Sequence, residues 1–231
     1  MENKNMVLTV VIILLVIIAA VIMLTVTKKE EKVEENMLNI NFEVEGNEAT
    51  LDYQTENPVV ALYIEGYGAV VAELYPSIAP NTVNNFISLV KSGFYDNNTF
   101  HRLMERFVLQ GGDPTGTGQG GPGYHIKGEF TSNGFKNDLK HTEGILSMAR
   151  SQAMDSAGSQ FFIMLGEATH LDGAYAAFGK VIDGMDTVKR IEKTERVSDP
   201  QSGKLVSNLV LKKALVDLKG KTYKDVEKVT E

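Results

Sequence analysis

Residues 100–113 read FHRLMERFVLQGGD, and the reading of this stretch decides the fold. It opens as a strand-like run, FHRL, breaks at Met104-Glu105-Arg106 and resumes as FVLQ. It ends on Gly111-Gly112, where the backbone can turn freely. Arg102, Phe107 and Gln110 combine a fixed cation, a large apolar ring and an amide, with no obvious nucleophile. Such a set can bind and polarise a substrate but is ill-suited to attacking one covalently.

Downstream, residues 111–128 hold eight glycines in eighteen positions. Gly116, Gly118 and Gly121 match G-x-G-x-x-G in form, but a dinucleotide site needs a helix immediately after, and Pro122-Gly123 follows instead. The stretch reads as a broad loop lining a surface cleft. Segments 144–150 and 160–165 are apolar strands around the polar loop SQAMDSAGS, and 168–173 is too short for more than a helical turn. Segment 176–181 is a strand, 185–193 an amphipathic helix, 196–207 a loop and 209–218 the last strand. Residues 219–231 are polar and expected to fray.

Upstream, residues 59–64 and 69–74 form a hairpin around Glu65-Gly66-Tyr67-Gly68. Val83, Phe86, Ile87 and Val90 repeat at helical spacing, which predicts a helix over 80–91. Pro80 suits its first turn and Gly93 a left-handed cap. Residues 38–45 alternate apolar and polar as a half-buried strand, and 49–53 return as a second one. About eight to ten short strands, two helices and no βαβ rhythm favour a closed antiparallel barrel with helices at its ends.

Residues 6–26 carry no charge for 21 positions. At 1.5 Å per residue they span about 30 Å, the thickness of a hydrocarbon core. An uncleaved membrane anchor is expected, with a cleaved signal as the alternative. Lys28, Lys29 and Lys32 after the span would by the positive-inside rule retain the main domain inside. A single N-terminal span on one soluble domain usually serves export, so the expectation is the extracytoplasmic face of the cell membrane. The chain thus divides into an anchor (1–27), a charged linker (28–37), an extra strand or hairpin (38–56), the barrel (57–218) and a polar tail (219–231).

The 231 residues include 30 acidic and 23 basic side chains, a net charge of −7, which argues against a nucleic-acid partner. Without cysteine, disulfides, thiolate catalysis and Cys-based zinc sites are excluded. His101, His125, His141 and His170 show no metal spacing, and no G-x-S-x-G occurs. No metal or cofactor is expected.

With FHR, FVLQGGD, GILSMA and GSQFFI in order, residues 57–218 resemble the cyclophilin-type peptidyl-prolyl cis-trans isomerases. The resemblance implies an eight-stranded antiparallel barrel capped by two α-helices, here preceded by the transmembrane helix. It also implies acceleration of X–Pro rotation in folding proteins, with proline-containing polypeptides as partners. By motif position the catalytic residues are Arg102, Phe107 and Gln110. Substrate-binding positions are Val108, Gly118, Ala149, Arg150, Ser151, Gln160, Phe162, His170, Leu171 and Tyr175. Taken singly, Phe107 and Phe162 also suit a plain core and Arg102 a surface ion pair; three motifs in register favour a site. Val108 replaces a usual methionine, Arg150 an asparagine, His170 a tryptophan and Tyr175 a histidine, the last a variation of bacterial members. Cyclosporin binding is expected to be weak, because it leans on that tryptophan. The alternative is a proline-peptide-binding scaffold with little turnover.

Overall fold

The computed structural model describes residues 46–229. The predicted anchor, the charged linker and the strand over 38–45 lie outside the described residues. Among the described residues no helix is long and apolar enough to cross a membrane.

The strands are β1 Val59–Ile64, β2 Gly68–Leu74, β3 Asn98–Met104, β4 Val108–Gly111, β5 Ile145–Met148, β6 Phe161–Met164, β7 Ala177–Asp183, β8 Val197–Asp199 and β9 Lys204–Asp217. They pair in the order β1-β2-β7-β5-β6-β4-β3-β9, and β9 returns to β1. Eight antiparallel strands therefore close a barrel, which leaves no free edge. Short β8 adds a ninth strand outside the ring, paired to the start of β9.

Alternation decides what fills the barrel. Val60, Leu62 and Ile64 of β1, and Val70, Ala72 and Leu74 of β2, join one buried cluster with Phe100, Phe161 and Phe178. Helix α1, Pro80–Lys91, buries Val83, Phe86, Ile87, Leu89 and Val90 in the same cluster. Its N-terminus has no local side-chain cap. The Glu129 carboxylate supplies one from a distant loop, accepting from the Asn81 N–H at 3.0 Å and the Thr82 N–H at 2.7 Å. A carboxylate there also complements the helix dipole. Helix α2, Met185–Thr194, buries Thr187, Val188 and Ile191.

Three expectations are corrected. Residues 49–53 form no strand: only Glu48 bridges, in parallel, to Val216, and the next N–H on that side, of Leu51, is taken by the Asp217 carboxylate at 2.9 Å rather than by a ladder carbonyl. The region read as a loop over 196–207 contains β8, and β9 begins at Lys204 rather than 209. The polar tail is fastened rather than frayed. Tyr223 and Val226 pack on the core, Asn81 and Glu227 exchange two hydrogen bonds, and the Val229 N–H donates to the His125 carbonyl at 2.9 Å.

Candidate active site

A row of cross-strand partners builds the site. Arg102 on β3 lies opposite Gln110 on β4, Gln110 opposite Phe162 on β6, and Phe162 opposite Ser147 on β5. On the other side of β3, Arg102 lies opposite Lys204. The pairing of β3 with β9 jumps from Phe100↔Leu209 to Arg102↔Lys204. Strict alternation would send His101 and Arg102 to opposite faces; across this break both line the same groove.

That groove has a volume of about 840 Å³. It brings together eleven predicted residues: Arg102, Phe107, Val108, Gln110, Gly118, Ala149, Arg150, Phe162, His170, Leu171 and Tyr175. Ser151 and Gln160 line an adjoining cleft that shares Gln110, Gly118, Ala149 and Arg150. His101, Gly116, Thr117, Ser202 and Lys204 also line the groove and were not predicted. His101 adjoins the FHR arginine, a signal that was available. Ser202 and Lys204 belong to the misread 196–207 segment.

A second apolar cluster floors the groove on the outside of the barrel. Val108, Phe162, Met164 and Leu171 are buried there, with Phe107, Ala149 and Tyr175 packed against them. His170 stacks on Phe107 with ring centres 5.7 Å apart, and Tyr175 meets Phe162 edge-on at 6.1 Å. Arg150 lies between two rings, 5.0 Å from Phe130 and 4.7 Å from Tyr175, and donates to the carbonyls of Ala174, Ser151 and Gln152.

Polar groups fix the arginine. Its Nη1 donates to Gln110 Oε1 at 3.0 Å and its Nε to the Ser202 carbonyl at 3.0 Å. Gln110 Nε2 donates to Gln160 Oε1, and Gln160 Nε2 to the Gly120 carbonyl. The glycine loop is held from beneath by buried Asp113, which accepts from the Thr115 N–H and hydroxyl and from the Gly118 N–H. Burial alone would raise the Asp113 pKa; donors from Thr115, Gly120 and Gly118 outweigh it and lower it to about 2. Gly112, with φ +83, admits no side chain, since a Cβ would meet the Ser159 carbonyl at 2.4 Å. His101 is held below its ordinary pKa chiefly by burial, and both its ring nitrogens are buried without a hydrogen-bond partner among the described residues.

Behind Phe162, His141 Nε2 meets Ser147 Oγ at 3.0 Å and Nδ1 meets Asp172 Oδ1 at 3.1 Å. The set mimics a hydrolase relay, yet Ser147 is 0% and His141 1% exposed, so no substrate reaches the hydroxyl. Burial, the largest influence on His141, lowers its pKa against the opposing pull of Asp172. Its ring, stacked under Phe162, reads as structural support. No group of side chains among the described residues has metal-ligating geometry.

The family model for "Cyclophilin type peptidyl-prolyl cis-trans isomerase/CLD" matches residues 59–215. The chain belongs to this family. Such cyclophilins are isomerases, and that is the activity class of this chain. It is 49% identical over 125 residues to peptidyl-prolyl cis-trans isomerase-like 1 of Gibberella zeae, covering 54% of this chain and 75% of that one. Identity to peptidyl-prolyl cis-trans isomerase B of Bacillus subtilis is 47% over 128 residues, covering 55% and 86%. Fungal and bacterial cyclophilins thus stand equally near, and the bacterial character expected from Tyr175 does not emerge from them. A Cryptosporidium parvum cyclophilin, crystallised in the presence of the dipeptide Ala-Pro, superposes with a TM-score of 0.62 at 36% identity, covering 68% of this chain and 98% of that one.

Proposed function

We propose that the chain accelerates X–Pro rotation in folding polypeptides by non-covalent stabilisation of the twisted amide through Arg102. The carrying observation is the fixed guanidinium: its contacts to Gln110 and Ser202 hold it beside an apolar floor containing Val108, Phe162 and Leu171. An X–Pro bond rotates slowly because its C–N bond has partial double-bond character. Twisting breaks that resonance and localises a lone pair on the prolyl nitrogen. A donor aimed there binds the twisted state better than either planar form, which is the condition for catalysis. Arginine suits the task because it stays protonated and offers a rigid set of donors. Phe107, Val108, Phe162 and Leu171 would hold the proline ring, and Gln110 the neighbouring carbonyl. Gly118, Ala149, Arg150, Ser151 and Gln160 would border the remainder of the peptide. No bond breaks, so the reaction calls for no nucleophile, metal or cofactor. The Ala-Pro dipeptide named for the Cryptosporidium protein supports proline peptides as ligands here. The full chain is expected to speed cis/trans exchange of an X–Pro peptide in NMR exchange spectroscopy; binding without faster exchange would make it a scaffold instead.

His170, exposed and stacked on Phe107, stands at the groove rim where it would meet cyclosporin. Imidazole supplies less apolar area than indole. His170→Trp is therefore expected to lower the cyclosporin Kd about tenfold, measured by calorimetry; an unchanged Kd would remove His170 from the ligand surface.

We also place the barrel on the extracytoplasmic face, tethered by residues 6–26. The support is the uncharged run in the sequence and the usefulness of an isomerase to chains folding after translocation. Protease added to intact cells is expected to digest the domain; protection until lysis would put it in the cytoplasm.

A further inference from the structure

The groove is cationic in an acidic protein. Its lining includes Arg102, Arg150 and Lys204 and, among the described residues, no Asp or Glu. The adjoining cleft, lined by Gln119, Tyr124, His125, Ser151 and Gln160 among others, also has no carboxylate side chain in its lining among the described residues. Yet the chain holds 30 acidic residues against 23 basic ones. Away from the groove several lysines meet those acids: Lys91, Lys189, Lys213 and Lys219 each sit 2.8–3.0 Å from a carboxylate oxygen.

Lys204 shares the lack of an ion pair with Lys127, Lys180, Lys193, Lys224 and Lys228 among the described residues, but of these six it is the one that lines the groove. Its ammonium makes no ion pair and no hydrogen bond among the described residues, and its side chain is exposed at the start of β9. It lies directly opposite Arg102 in register, and both line one groove. Like charges facing across a strand pair repel. Arg150 spends its donors on backbone carbonyls, so its charge is also left without a counter-ion. The nearest buried acid, Asp113, is turned away into the loop donors that hold it. On its other side Lys204 faces Asp199 of β8 in register, but that carboxylate accepts from the Gln201 and Ser202 N–H and forms no ion pair with Lys204 among the described residues, so an anion arriving with the substrate would still gain from the unpaired ammonium.

We propose that this groove prefers X–Pro segments flanked by acidic residues, with Lys204 as the specificity-determining side chain and Arg150 adding to the same field. The inference rests on the isomerase reading of the groove. It names the class of polypeptide drawn there, and it predicts that basic segments are disfavoured.

Three peptides share the core Ala-Pro and differ only in the residues on either side of it: Glu-Ala-Pro-Glu, Gln-Ala-Pro-Gln and Lys-Ala-Pro-Lys. Each is assayed with the full chain for kcat/KM by NMR exchange and for Kd by titration. At low ionic strength the Glu peptide is expected to exceed the Lys peptide about tenfold in both, with Gln between, shrinking to about twofold at ~0.5 M salt as the charges are screened. Lys204→Glu is expected to bring the Glu-to-Lys ratio to about one, and Lys204→Arg to restore it. Turnover with equal values for the three peptides overturns the charge preference and leaves the isomerase reading standing. Ordered Kd values without faster exchange retain the preference and sink the isomerase reading. A ratio unmoved by Lys204→Glu overturns the role of Lys204.

Discussion

Replacing Arg102 with alanine is expected to lower kcat/KM for an X–Pro peptide about 10²–10³-fold, the usual loss when one preorganised transition-state donor is removed. The circular dichroism spectrum and melting temperature should hardly change. The side chain lies in a surface groove, and its removal gives up the contacts to Gln110 and Ser202 while relieving repulsion with Lys204. Arg102→Lys keeps the charge but not the fork of donors, so it should recover only a small part of the rate. A peptide Kd within about threefold of the parent would show that the loss lies in the twisted state rather than in ground-state binding. Equal kcat/KM for the alanine variant and the parent would remove Arg102 from the mechanism.

Phe86→Ala should have the largest effect on stability. The ring is fully buried and is the point at which α1 enters the barrel. Its centre lies 5.1 Å from Tyr95, 5.2 Å from Phe161 and 5.1 Å from Phe178. These rings come from the loop after α1, from β6 and from β7, so the cavity left behind cannot close by moving one element. The expected cost is about 3–5 kcal/mol, a fall in Tm of about 10 °C for a domain of this size. Phe86→Leu keeps most of the volume and should cost about half as much. A melting temperature within ~2 °C of the parent for Phe86→Ala would show that α1 does not plug the barrel.

Helix α1 was legible because its periodicity is local: Val83, Phe86, Ile87 and Val90 declare one face within three turns. The β1–β2 hairpin was legible for the same reason. Arg102, Val108, Gln110 and Phe162 of the groove were legible from motifs that sit on the paired strands β3, β4 and β6, while Phe107, Gly118, Ala149, Arg150, His170, Leu171 and Tyr175 sit on connections that these strands bring to the same groove. What the sequence concealed depends on distant partners. Glu129 caps a helix 47–48 positions away, a relation without periodicity. The early start of β9 lies in KLVSNLV, where the register break against His101 interrupts the apolar alternation that marks a strand. Lys204 and Ser202 entered the groove through that break. Ser151 and Gln160 were assigned to the substrate surface and stand in the adjoining cleft, a distinction set by how the glycine loop divides the surface. The tail over 219–229 holds on through Asn81, His125 and Tyr124, contacts that its polar composition does not advertise.

That fastened tail has a practical consequence for any fused partner. Val229 lines the cleft next to the groove, so a peptide fused directly after Val229 would start beside the substrate path. A flexible appendage of ~10 residues reaches about 15–20 Å and would present its own prolines at millimolar effective concentration. A proline-bearing tag there acts as a tethered competitor whose inhibition does not dilute away with the enzyme.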